Sequence, residues 1–260
     1  MAADQQRPLV SSAEELNRMT EWFQDPIRPR DEGPFVLVVD DFYHDPDRIR
    51  AIALAQEFVQ YAPSPQENTS VSLGRVPILG PASWYSTSLL RIRGRVVAKP
   101  FRGFRYAPTE IRQRMSEIVG EVADVETWSE SGDWWNGAFH LMNALWTSAS
   151  ASIHHHYKEG DVAPRGWSGV VYLSPNAPPF SGTSIWRAKK TGLCVGAYGA
   201  VFEYDPTRFE LALLVENRYN RLVLFRESVL HRAESGFGLG LNSRLTQTFF
   251  FNSSLTCWVK

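Results

Sequence analysis

The sequence predicts an α+β fold, a jelly roll of short antiparallel strands buttressed by helices that precede it. Three observations carry this expectation. From Asn136 onward the chain is a succession of short β-type runs divided by turn residues: AFHLMNALW, ASIHHHY, GWSGVVYLS, TSIWRA, GAVFEYD, NRLVLFR and RLTQTFFFN. Regularly spaced short strands favour a sandwich or barrel over a parallel sheet. The segments with helical periodicity lie upstream, so helices come first and strands later. Finally, 260 residues, of which 43% are hydrophobic and 21% charged, suffice for one large core and lack the bias of a disordered or fibrous chain.

Taken in order, Ser12 and Glu15 form a capping-box pair that opens a short helix with Leu16, Met19 and Trp22 on one face. The proline-rich, charged stretch DPIRPRDEGP, Asp25 to Pro34, reads as a linker. Residues 1–34 are therefore assigned to an N-terminal helix and linker, and residues 35–260 to a single domain. FVLVVDDF, Phe35 to Phe42, is apolar and β-branched and reads as a strand. Asp45 then caps a helix with Pro46 at its first position, and Ile49, Ile52, Ala53 and Phe58 form its inward stripe. Residues 62–95 are rich in Ser, Pro and Gly without a sustained period, so they read as loops with one short strand or helix. Loops of that length often wall a binding site. A second amphipathic helix is predicted over 108–123, where Ile111, Met115, Ile118, Val119 and Val122 recur at helical spacing. No internal repeat or low-complexity tract is present.

A formal net charge of −1 provides no global basic field of the kind that draws a protein onto nucleic acid or anionic membrane. Cys194 and Cys257 could form one bridge at most, which is not a disulfide framework and fits a reducing cytoplasm. The opening MAADQQRPLVSSAEEL lacks the basic start and apolar core of a signal peptide, and no apolar run approaches the roughly 20 residues that span a bilayer. The expectation is a cytoplasmic protein with a small-molecule partner and neither nucleic acid nor membrane partners. Oligomeric state is not set by the sequence, and a homodimer is compatible with it.

The chemistry-bearing constellation is histidine. His154, His155 and His156 are consecutive, and His231 follows a strong strand and precedes a glycine-rich turn. On a strand, alternate side chains share a face, so His154 and His156 converge while His155 points away. With His231 from a distant strand they make a facial set of three imidazoles with open positions opposite, an arrangement suited to iron(II). Spacing alone leaves zinc, manganese and iron open, and three adjacent histidines are also compatible with a polar strand edge.

Ile153, His154 and His156, WSGVVYL from Trp167, GTSIW from Gly182, NRLVLFR from Asn220, His231 and RLTQTFFF from Arg244 together resemble the iron(II) and 2-oxoglutarate dependent oxygenases, in a bacterial branch near the prolyl-hydroxylase type. FVLVVDDFYHDPDRIRAIAL resembles the opening strand and helix of that family. The resemblance implies a double-stranded β-helix, cupin-like core. It also implies an iron(II) cofactor with 2-oxoglutarate and O2 as co-substrates, and oxidation of a small molecule by hydroxylation, desaturation or ring formation. An amino acid or a natural-product intermediate, and hence a biosynthetic role, would fit. His154 and His231 take the positions of the proximal and distal metal ligands. Arg244, thirteen residues beyond His231, takes the position of the basic residue that clasps the far carboxylate of 2-oxoglutarate, a task suited to a guanidinium with two parallel donors. Asn143 stands where a polar residue contacts co-substrate or substrate, with a core hydrogen bond as the alternative. Tyr172 is a candidate donor to the co-substrate carboxylate, or a packed strand residue.

The departure from the family is His156, which stands where the family has a carboxylate. A neutral three-nitrogen site carries one more unit of positive charge and favours anionic chelators. Either His156 ligates, or Glu159 or Asp161 supplies a carboxylate from the following loop, or the site is dead. Trp146 and Trp186 are the candidate pocket aromatics among Trp134, Trp135, Trp146, Trp167 and Trp186, most of which serve a core. Two rival functions remain beside the 2-oxoglutarate reading. One is a three-His dioxygenase acting without 2-oxoglutarate on a chelating substrate; the other is a non-catalytic jelly-roll binding protein.

Overall fold

The computed structural model of the chain describes residues 9–10, 36–60, 84–87, 91–92, 95–96, 104–128, 136–148, 151–156, 166–196 and 205–254. In chain order the strands are β1 (Leu9–Val10), β2 (Val36–Val39), β3 (Val59–Gln60), β4 (Trp84–Ser86), β5 (Arg91–Ile92), β6 (Arg95–Val96), β7 (Val122–Ala123), β8 (Phe139–Met142), β9 (Gly166–Tyr172), β10 (Thr183–Ala188), β11 (Phe209–Val215), β12 (Leu222–Arg226), β13 (His231–Ala233) and β14 (Arg244–Ser254). The helices are α1 (Pro46–Leu54), α2 (Thr109–Val119) and α3 (Val125–Trp128).

The large sheet runs β2, β12, β9, β14, β8, β4, β3, with β7 pairing to the far end of β14, and the small sheet runs β1, β11, β10, β13. All pairings are antiparallel except that of β1 with β11. The two sheets face one another as a double-stranded β-helix with helices on one side, the predicted α+β jelly roll. Leu9–Val10, within the segment assigned to an N-terminal helix and linker, pairs with Leu214–Val215 of the small sheet. The helix predicted from Ser12, the linker, Trp134, Trp135 and Cys257 lie outside the described residues. No described helix is long and apolar enough to cross a membrane.

Local sequence explains the elements. The Asp45 side chain accepts from the Arg48 N–H and caps α1, whose Ile49 and Ala53 are buried. α2 stops at Val119, four residues short of the predicted end, because Gly120 adopts a left-handed φ of 69° that closes the helix. Val122, expected on the helical stripe, instead joins a strand pair with Ser254. Strand β8 ends at Met142 because Asn143 opens a turn: its Oδ1 accepts from the Leu145 N–H at 2.9 Å. The strand FELALLV, β11, had no counterpart in the sequence reading, and GAVFEYD lies almost wholly outside the described residues.

Register decides which side chains meet. On the outer face of the large sheet Phe139, Leu141, Val171, Leu222, Leu224, Leu245 and Phe249 join Ile49, Ala53, Ile111 and Met115 of the helices in the main core. On the inner face Tyr172, Val223 and Phe225 meet Ile185, Leu213 and Val215 of the small sheet. The space between the sheets is thus sealed by apolar packing on the β2 and β12 side.

Candidate metal centre

The three predicted histidines are brought together. One potential ligand atom from each of His154, His156 and His231 lies within 4.8 Å of the others. The ring centroids stand 4.4 Å apart for His154 and His231, 4.9 Å for His156 and His231, and 5.0 Å for His154 and His156. Only a single β-bridge does this work on the HHH segment: His154 and His231 exchange backbone bonds of 3.0 and 2.9 Å, and the His156 N–H donates to the Glu227 carbonyl at 2.7 Å. Alternation then sends His155 the other way. Its buried ring fills the space left by Gly196, where a Cβ would meet His155 Cδ2 at 2.0 Å.

Backbone carbonyls set the tautomers. His154 Nδ1 lies 3.1 Å from the Ser152 carbonyl and His231 Nδ1 lies 2.8 Å from that of Val229. A carbonyl oxygen only accepts, so each Nδ1 carries the hydrogen and each Nε2 is left with a lone pair for a metal. Burial, then the neighbouring His154 and His156, hold the His231 imidazole well below its usual range, and burial lowers His154 likewise. Both rings are therefore neutral, the form that ligates. Phe225 packs 4.3 Å from the His231 ring and Phe250 packs 5.1 Å, edge-on, from His156. Bonds of about 2.1 Å to a shared ion ask the rings to draw together by about an ångström, within the reach of side-chain rotation. The donor set thus fits a divalent transition metal. Glu159 and Asp161, the alternative carboxylates, lie outside the described residues.

Arg244 begins β14 opposite Met142 and is 1% exposed. Its Nε donates to the Ser181 carbonyl at 2.6 Å, one terminal nitrogen to the Gly182 carbonyl at 3.1 Å, and the other contacts Met142 Sδ at 3.2 Å. That occupies three of its five N–H groups. Among the described residues no carboxylate lies within ion-pairing distance of it, and burial lowers its pKa. Tyr172 lies beneath this guanidinium and donates to Thr183 Oγ1 at 2.8 Å. Thr183 pairs with Ala233 and Ile185 with His231, so the Tyr172 hydroxyl lies roughly 7 Å along the barrel from the level of His231.

The remaining candidates divide. Asn143 is buried, with its Oδ1 committed to the turn described above. Trp146 packs edge-on against Trp84, an inner-face residue opposite Met142, at 5.0 Å. Trp186 is not brought to the histidines. It sits on the face of β10 opposite to Ile185, under Arg232 and in a small cluster with Ile153, Phe209 and Leu230, and its Nε1 donates to Ser184. The sequence reading overlooked His140, which shares the inner face with Arg244. It accepts from Trp84 Nε1 at 3.2 Å and lies 3.0 Å from Thr248 Oγ1, and burial, then the Arg244 charge, push it down to about 3. Phe225 and Phe250 were overlooked too; only the register of their strands against β9 distinguishes them from ordinary core positions.

No family model and no curated protein matches the chain in sequence. Among solved structures, HygX from Streptomyces hygroscopicus with nickel, 2-oxoglutarate and hygromycin B bound is similar at 11% identity and TM-score 0.43, over 94% of this chain and 87% of that one. EctD from S. alaskensis in its apoform is similar at 11% identity and TM-score 0.41, over 84% and 72%. A Pseudomonas putida prolyl-4-hydroxylase is similar at 15% identity and TM-score 0.39, over 85% and 93%. At these values none of them identifies the chain.

Proposed function

We propose that the chain is a non-haem iron(II) oxygenase that consumes 2-oxoglutarate and O2 while oxidising a small molecule. One observation carries the reading: three imidazoles from two strand segments converge on a point inside a barrel, two of them neutral with a carbonyl-fixed Nδ1–H. Iron(II) held by His154, His156 and His231 would supply oxygen activation coupled to oxidative decarboxylation of the keto acid.

The chain's own residues do the rest. Arg244 receives the far carboxylate of 2-oxoglutarate through the two guanidinium N–H groups not already bonded, and the Tyr172 hydroxyl joins it by turning its hydrogen from Thr183 Oγ1 to the carboxylate. Phe225 and Phe250 keep water from the backs of the imidazoles and fix their planes. Trp84 and Trp146 form an aromatic wall on the opposite side of the barrel interior, against which an organic substrate packs.

A second reading is favoured by the carbonyls that already occupy part of Arg244: a three-His dioxygenase that binds a chelating substrate directly and needs no keto acid. Measuring succinate separates the two. Protein reconstituted anaerobically with iron(II), then given 2-oxoglutarate and oxygen, is expected to retain one iron per chain and accumulate succinate. Iron retention without succinate removes the keto-acid reading in favour of the second. Failure to retain iron removes both.

A further inference from the structure

One buried hydroxyl beside the three histidines takes no part in the contacts that fix them. Across the inner face of the large sheet, Phe225 of β12, Ser168 of β9 and Phe250 of β14 stand in one row, because Ser168 pairs with both phenylalanines. The Phe225 ring lies 4.3 Å from His231 and the Phe250 ring 5.1 Å, edge-on, from His156. Those two imidazoles are themselves 4.9 Å apart, so Ser168 faces the gap between them. The residue is 2% exposed, and its hydroxyl has no hydrogen-bond partner among the described residues. The carboxylate of Glu227 fills the inner side of Gly166, the neighbouring inner position of β9, and does not bond to it.

A buried hydroxyl without a partner costs stability, and alanine, of nearly the same size, avoids that cost. Steric fit between two rings therefore accounts for a small residue here but not for a serine. On the proposed reading of the histidines as a metal centre, on which this inference rests, three imidazoles take one face of the ion and leave the opposite positions open. His231 belongs to the small sheet and His154 bridges to it, so the open positions face the large sheet. There the short Ser168 side chain stops below the two longer rings, and neither ring competes for its hydrogen. We propose that Ser168 binds the small ligand that enters between the rings. Its hydroxyl donates a hydrogen bond to the acceptor atom of an anion or a small neutral molecule held at the ion's open position.

The test uses the full native chain beside Ser168→Ala, with cobalt(II) as the metal and azide as the probe. Calorimetry reports cobalt binding and the cobalt absorption spectrum reports azide, both without turnover. Ser168→Ala is expected to bind cobalt as the native chain does and azide about tenfold more weakly, the effect of losing one hydrogen bond to a charged acceptor. Before metal is added, the variant is expected to melt at or above the native temperature, because it sheds an unsatisfied group. A merely structural serine moves neither readout in that direction. Equal azide affinities overturn the inference, as does a metal-free variant that melts well below the native chain. A variant that loses cobalt together with azide, or a native chain that holds cobalt and ignores azide, also overturns it. If the native chain binds no cobalt, the metal-centre reading itself falls, and this inference with it.

Discussion

The strands of the large sheet present two faces built from different chemistry. Outward, alternate residues of β8, β9, β12 and β14 are mostly Phe, Leu, Val and Trp, packed under the helices, with Trp128 stacked on Phe249 at 5.7 Å and with Gln247 and Arg226 as buried polar exceptions. Inward, the intervening residues of β8, β9 and β14 include His140, Ser168, Tyr172, Arg244, Thr246 and Thr248. A sandwich ordinarily closes its apolar faces on each other. Here the helices cover one apolar face, and apolar packing inside the barrel is concentrated on the β2 and β12 side, so the inner positions of β8 and β14 are not all needed for a core. The interior is thereby released to carry a buried cation and polar groups that a stability-driven core would exclude. The difference teaches where to separate stability from chemistry: odd and even positions of the same strand answer to different demands.

The sharpest way to break that division is to remove a ligand. His231→Ala is expected to abolish tight metal binding, a loss of at least about two orders of magnitude, while the metal-free protein unfolds near the native temperature. Calorimetric titration with cobalt or zinc and a thermal melt check both halves, and a large fall in the apo melting temperature would show the inner face to be structural. The opposite result is expected outside. Phe249→Ala, fully buried against Trp128, should cost about 3–5 kcal/mol of stability by chemical denaturation and leave the metal stoichiometry of the folded fraction unchanged.

Glu121 sharpens the picture of the outer face. Burial raises its carboxyl, but hydrogen bonds from Arg226 and Ser253 outweigh this and hold it below the usual glutamate value, while Arg226 lies 4.0 Å from the Trp167 ring. A folded-state pKa below the unfolded one stabilises the protein above the ordinary glutamate pKa, and that stabilisation fades as pH falls through the folded value. Glu121→Gln should therefore cost about 2 kcal/mol at neutral pH and flatten the acid limb of the stability profile, measured as melting temperature against pH. A variant with an unaltered acid limb would remove this pair from the acid response. The smallest effect is expected at Trp186→Phe, which loses one hydrogen bond to Ser184 and should cost under about 1.5 kcal/mol with metal affinity unchanged. A shift in metal or 2-oxoglutarate affinity in this variant would put Trp186 inside the pocket after all.

Much of this was legible in the chain. The α1 cap at Asp45 and the strands β2, β9, β10, β12 and β14 follow from local pattern, because capping and period-2 alternation act over a few residues. The histidine pair at 154 and 156 followed from the same alternation, although the segment forms one bridge and not a long strand. Less legible were the end of α2, where Gly120 overrode the apolar stripe, and β11, whose FELALLV run is hard to tell from a helix by periodicity. Trp186 is expected in the pocket because its strand lies next to the metal segment, whereas its ring packs with Ser184 and Arg232 on the other face of that strand.

The sequence by itself determined the α+β order of elements, the alternation that aligns His154 with His156, and a nearly neutral chain, since each depends on residue type and short spacing. Only the tertiary structure decided that His231 joins them, that Phe225 and Phe250 back the rings, and that Arg244, His140 and Tyr172 share one interior. Those relations depend on strand register between segments far apart in the chain, and a shift of one residue would have turned each of those side chains to the opposite face.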